Sequence, residues 1–206
     1  MFHQNTGRMM GACFYQPRET HISLGIMSVR PNYSGKGVGR AMVDQILDFM
    51  RENDYKACRL VSSAPNLNSF SLYNRAGCVP RGGYQDMVID VPENGLDVSV
   101  PGEDSVRAAT CDDVSRMGEL EMEISGIRTE NDYRYSIENP RVMQATFFEN
   151  SQQSADGFMI STKHAAINIL GPCGAHSEEI AIASIRRELE RFRCLRALFV
   201  IPKRKG

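Results

Sequence analysis

Between residues 34 and 40 the chain reads Ser34-Gly35-Lys36-Gly37-Val38-Gly39-Arg40, three alternating glycines interleaved with two cations. Glycine opens backbone conformations closed to other residues and lets the main chain come close to a ligand. Apolar spacing that begins at Val38 predicts a helix starting there, and the first N–H groups of a helix have no intrahelical acceptor. With the positive end of the macrodipole behind them, such groups bind anions, phosphate above all. Lys36 and Arg40 add full charges beside that site. The triphosphate loop G-x-x-x-x-G-K-[ST] does not fit, because the lysine is followed by Gly37 and no hydroxyl is placed for Mg²⁺. The dinucleotide fingerprint G-x-G-x-x-G fails too, since counting from Gly35 its third glycine falls on Arg40.

The loop has to be held between a strand and a helix. His21 to Val29 alternates well enough for the strand, and the helix keeps Val38, Met42, Ile46, Phe49 and Met50 on one face and fades near Asn53. Upstream, turn chemistry at Asn5-Thr6-Gly7-Arg8 leads into a strand from Met9 to Tyr15. Downstream come a strand over Lys56 to Ser62, a short helix over Asn68 to Ala76 stopped by Gly77, and a strand over Tyr84 to Val91. The second half reads as a short strand at Val106 to Ala109, then a helix opened by Thr110 and Asp113, with Val114, Met117, Leu120 and Ile124 as its apolar stripe. A second helix over Thr129 to Glu138 follows, then strands at Met143 to Glu149, Gly157 to Thr162 and Ala166 to Leu170. A helix over Ser177 to Phe192, with Ile182, Ile185, Leu189 and Phe192 inward, and a strand at Ala197 to Ile201 complete the order.

The chain has 206 residues, between one and two domains at roughly 100–200 residues each. Lys plus Arg is 24 and Asp plus Glu 25, so the net charge of −1 argues against a surface built for nucleic acid or anionic lipid. With 42% apolar residues it can bury a core. No apolar run is long enough to span a bilayer and the first residues lack a secretory signal, so the expectation is a cytoplasmic protein. Six cysteines without a C-x-x-C pair read as reduced thiols, with neither a metal site nor a disulfide framework. Two prolines, two glycines and four acids between Val91 and Asp104 read as a linker, which sets domains at 1–91 and 105–206 around a linker at 92–104. Asp112, Asp113, Glu119, Glu121 and Glu123 read as a solvated helix face, Tyr133 and Tyr135 as packing, and Lys203-Arg204-Lys205 as a solubilising tail.

The run Val29 to Arg40 resembles the acetyl-CoA loop Q/R-x-x-G-x-G/A of the GCN5-related N-acetyltransferases, the GNAT superfamily. It falls on Ser34, Gly35, Lys36, Gly37, Val38 and Gly39, with Ser34 where Gln or Arg is usual. Thr6 to Gly11 resembles the hairpin between that family's second and third strands. Asn66-…-Ser69-…-Leu72-Tyr73-…-Gly77-Cys78 resembles its segment N-x-x-A/S-x-x-L-Y-x-x-x-G-F, with Cys78 in place of Phe. The resemblance covers about residues 1–91. It implies a three-layer α-β-α fold of mixed α/β class, with a mostly antiparallel, splayed central sheet, in two GNAT-like halves.

It also implies acetyl-CoA as co-substrate, no metal, and transfer of an acetyl group to a primary amine on a small molecule or peptide. The main chain of Met27 and Val29 would pair with the pantetheine arm, as an added strand pairs with a sheet edge. Ser34 to Arg40 would take the pyrophosphate, Asn66 would hold the cofactor arm, and Tyr73 would protonate the leaving thiolate. Glu19 and His21 are candidates for the base, which stays unassigned. The rival reading is a non-catalytic acyl-CoA-binding or regulatory module. In the second half the corresponding loop is Leu170 to His176, where Pro172 lacks an N–H and Glu178-Glu179 opens the next helix, so that half reads as degenerate. The first half begins at the family's second strand, and the second stops before a closing helix and strands. Completion of one half by the other, within a chain or in a homodimer, and truncation of a longer tandem protein both stay open.

Overall fold

A computed structural model describes residues 1–149 and 155–202; the basic tail at 203–205 lies outside them. The chain forms two compact units, Met1–Arg81 and Gly82–Gly206.

In the first unit, β1 (Gly11–Pro17), β2 (Ile22–Val29) and β3 (Cys58–Arg59) form a sheet in that order, with α1 (Val38–Glu52) and α2 (Leu67–Arg75) packed on it. Ahead of β1, a hairpin turns as the sequence predicts: Phe2 bridges Met9, and the His3 N–H donates to Arg8 O at 2.9 Å. β1 and β2 are antiparallel, and Ile22, Leu24, Val43, Ile46 and Tyr73 are buried between sheet and helices. The strand expected over Lys56 to Ser62 shrinks to two residues. It is parallel to β2 only at Ile22–Cys58 and Ser23–Arg59, and then the two separate.

The separation has a local cause. Cys13 faces Met27 and Tyr15 faces Leu24, so the single residue Phe14 stands opposite both Gly25 and Ile26. That extra residue is a β-bulge, which bends β2 and breaks its pairing.

The second unit is a six-stranded sheet. Its strands are β4 (Tyr84–Asp90), β5 (Val106–Ala108), β6 (Met143–Glu149), β7 (Ala155–His164), β8 (Ile167–Ala175) and β9 (Arg196–Pro202), in the order β4-β9-β8-β7-β6-β5. All neighbours are antiparallel except β8 and β9. Helices α3 (Val114–Ser125) and α4 (Glu130–Glu138) bury Met117, Leu120 and Tyr133 against Phe147 and Phe158. On the other face α5 (Glu178–Leu189) and the turn after it bury Leu189 and Phe192 against Met159 and Ala197. The result is three layers, with strand alternation sending odd and even residues of β7 to opposite cores.

The division at Arg81 corrects the boundaries read from composition. β4, expected in the first half, pairs over seven residues with β9, and Val91 is buried with Leu170 and Phe192. The stretch read as a linker is bound to the same unit, with Arg186 donating to Leu96 O at 3.0 Å and Val98 O at 2.7 Å. Two helical faces also turn from the expected angle. Asp113 and Glu121 are buried rather than solvated, while Ile124 and Ile182 are exposed. Asp113 holds Arg107 by two bonds of 2.7 Å, and Glu121 accepts from Thr129 Oγ1 at 2.9 and 3.1 Å. Among the described residues no helix is long and apolar enough to cross a membrane.

Candidate functional site

The site grows from the bulge in β2. Up to Ser23 one edge of β2 is covered by β3; from Leu24 to Val29 no strand among the described residues pairs with that edge, which is open in that sense. The Arg30 N–H donates to Met10 O at 2.8 Å, on the β1 side. Strand alternation back from Arg30 turns the main-chain groups of Met27 and Val29 to the open edge. The bulge itself was readable: a glycine inside a strand pattern, Gly25, marks one.

Beyond Val29 a turn at Pro31–Tyr33 leads into the glycine loop. Gly35 and Gly37 have φ of +73° and +80°, left-handed values that favour glycine, and a Cβ on either would meet nothing within 4 Å. Gly37 is the N-cap of α1, so no side chain closes the helix start, and its first turn carries no acid. The N–H groups of Val38, Gly39 and Arg40 therefore stand without an intrahelical acceptor or a capping side chain at the positive end of the dipole. Gly39 serves packing instead: a Cβ there would lie 3.2 Å from Leu72 Cδ2 of α2. Ser34 and Lys36 are exposed, and the Lys36 ammonium lies 5.8 Å from the centre of the Tyr33 ring. The Arg40 side chain is turned elsewhere, with Nε 2.8 and 2.9 Å from the Asp44 carboxylate and Nη1 donating to Arg75 O at 2.9 Å.

Asn66 is the N-cap of α2, and its Oδ1 accepts from Ser69 N at 3.1 Å. That bond orients the carboxamide and leaves its NH₂ donors outward. Tyr73 lies two turns along the same helix, 9% exposed. Burial pushes its phenol above the ordinary range, and the neighbouring thiols of Cys13, Cys78 and Cys58 push the same way. Those thiols are raised by burial too, Cys58 to about 11, so all stay protonated at neutral pH.

His21, at the start of β2, is buried between the Thr20 hydroxyl (3.3 Å from Nδ1) and the Ser23 hydroxyl (3.1 Å from Nε2). Burial, then Arg59 and Arg18, lower its pKa, so the imidazole is neutral near pH 7.

The second unit repeats the bulge without the cradle. Met159 faces Cys173 and Ser161 faces Leu170, so Gly171 and Pro172 stand opposite Ile160, and β8 leaves β9 after Leu170. The residues expected as a loop are strand up to Ala175, and Pro172 offers no N–H there. The start of α5 is closed by the Ser177 side chain, which accepts from Ile180 N at 3.3 Å, with Glu178 and Glu179 in the first turn.

Among known proteins, the model of the Acetyltransferase (GNAT) family matches residues 2–78. No curated protein matches the sequence significantly. A putative acetyltransferase from Pyrococcus horikoshii superposes with a TM-score of 0.68 at 17% identity, over 94% of this chain and 60% of that one. A GCN5-related N-acetyltransferase from Sphaerobacter thermophilus gives 0.58 at 16% identity, over 97% and 70%. A tandem GNAT protein from the clavulanic acid biosynthesis pathway gives 0.55 at 15% identity, over 98% and 74%. At these identities the likeness is one of fold, and the chain spans only part of each relative. The family's motif region and the splayed, mostly antiparallel sheet agree: residues 2–78 match the acetyltransferase (GNAT) family model, and the chain has the fold of these acetyltransferases.

Proposed function

We propose that the chain is an acetyl-CoA-dependent N-acyltransferase acting on a primary amine, with its site in the unit Met1–Arg81. One observation carries this reading: an uncapped helix start behind two glycines at positive φ, continuous with an open strand edge. A diphosphate fits the first feature and a chain of amides the second. The second unit carries no such site in this reading, because its helix start is closed by a serine and two acids.

Acetyl-CoA supplies an activated acetyl group as a thioester. The main-chain N–H and C=O groups of Met27 and Val29 bind the pantetheine amides as an added strand would. The N–H groups of Val38 to Arg40 bind the diphosphate, with Lys36 as the mobile counter-charge and Ser34 to Gly37 shaping the approach. The NH₂ of Asn66 donates to the arm. A main-chain N–H on this open edge of β2 can also donate to the thioester carbonyl as negative charge grows on its oxygen. Tyr73 holds its proton on Oη for the leaving sulfur. A phenol kept neutral by burial suits that task, since it arrives protonated.

Calorimetry with acetyl-CoA tests the reading. Saturable binding at one site per chain is expected, and Gly37→Val, which forbids the left-handed N-cap, removes it. A folded protein that gives no heat at high micromolar acetyl-CoA would sink the proposal.

A further inference from the structure

The site just proposed needs a diphosphate seat on α1 and a proton donor on α2, held in fixed relation. One side chain joins the two helices. Arg40, in the first turn of α1, has its Nε within 2.9 Å of both carboxylate oxygens of Asp44, one turn along. Its Nη1 donates to the main-chain carbonyl of Arg75, the last residue of α2, at 2.9 Å. The guanidinium is a rigid planar fork, so fixing one edge on Asp44 aims the other at α2. A cation on the final carbonyls of a helix also satisfies its unpaired acceptors and its dipole. Tyr73 lies two residues before that carbonyl, and Leu72 beside it rests against Gly39, the residue next to Arg40. The helix so held is short, at nine residues.

We infer that Arg40 is a positioning residue and not a side-chain ligand of phosphate. Its backbone N–H stays in the diphosphate seat. Its guanidinium locks α2, and with it the Tyr73 phenol, onto the helix carrying that seat. Lys36, which has no carboxylate partner among the described residues, is then the loop's cation for the anion. The inference rests on reading this site as one for acetyl-CoA.

Three variants separate the two roles. For Arg40→Ala, acetyl-CoA affinity by calorimetry should hold within about threefold while kcat drops by about 100-fold, the cost of misplacing a reacting group by about 1 Å. Arg40→Lys keeps the charge but cannot make both bonds, so it should not rescue kcat. Asp44→Ala is the decisive case, because the roles predict opposite signs. A clamp that loses its anchor lowers kcat with affinity kept, whereas a phosphate ligand freed from its partner tightens acetyl-CoA binding. The Arg40–Asp44 pair is half-exposed, so its loss should leave the melting temperature close to wild type, and this is read in the same samples. The inference is overturned if Arg40→Ala weakens binding about tenfold or more, if it leaves kcat intact, or if Asp44→Ala tightens binding. A wild-type protein that neither binds nor turns over acetyl-CoA would overturn the site reading as well.

Discussion

Tyr73 is where a single residue decides most. It sits in an apolar setting with three protonated thiols near it, and burial holds its proton on. Tyr73→Phe should therefore keep acetyl-CoA affinity and lower kcat by about 100-fold, the low end of what a general acid contributes. Unchanged turnover would assign the proton to another group, and binding with no turnover in the wild type would favour a regulatory module. Because the phenol is raised, its neutral form persists to higher pH than for a free tyrosine. Any alkaline fall in kcat that belongs to Tyr73 should have its midpoint above that of a free tyrosine, about pH 10, and a fall with a lower midpoint belongs to another group. The identities of Tyr73, Asn66 and the loop glycines were legible as a motif in the sequence. The direction of Arg40 was not, since its partners include a carbonyl 35 residues away.

At the scale of elements, helix starts carry the contrast between the units. Glycine leaves α1 open, Ser177 closes α5, and the Thr110–Asp113 capping box begins the turn before α3. All three were readable, because caps depend on residues within one turn. Asp113 does more than cap. Its side chain is 5% exposed, and the Arg107 guanidinium, helped by Thr110, lowers its pKa to about 2. A carboxylate depressed in the folded state lends stability above its ordinary pKa and loses it as pH falls through the folded value. Asp113→Asn should cost about 2 kcal/mol at pH 7, discounted because Arg107 is partly exposed. The gap between variant and wild type should close as pH falls from about 4 to about 2, which urea titrations at each pH can measure. A gap that stays constant with pH would remove the ion pair as its cause. Strand lengths were less legible than caps. β3 shortened and β8 lengthened because each answers to the bulge that bends β2 or β8, a feature of pairing and not of local propensity.

For the whole molecule, the division falls at Arg81, ten residues before the boundary that composition suggests. Hydrogen exchange under rising denaturant should show amides of Tyr84–Asp90 opening together with those of Arg196–Pro202, in the cooperative unit of the six-stranded sheet. Exchange of Tyr84–Asp90 in step with Ile22–Val29 would place β4 with the first unit and refute the division. Proline, glycine and acid content marked the wrong border because a turn-rich segment can pack on a helix, as 92–104 does on α5 through Arg186, as readily as it can join two domains. The sequence by itself determined the order of elements, the helix starts and the glycine seat, all of which follow from backbone preferences and side-chain periodicity over a few residues. Only the tertiary structure decided which strand β4 joins, where β2 parts from β3 and which way Arg40 turns, because each depends on partners distant along the chain that meet it only once the sheet has formed.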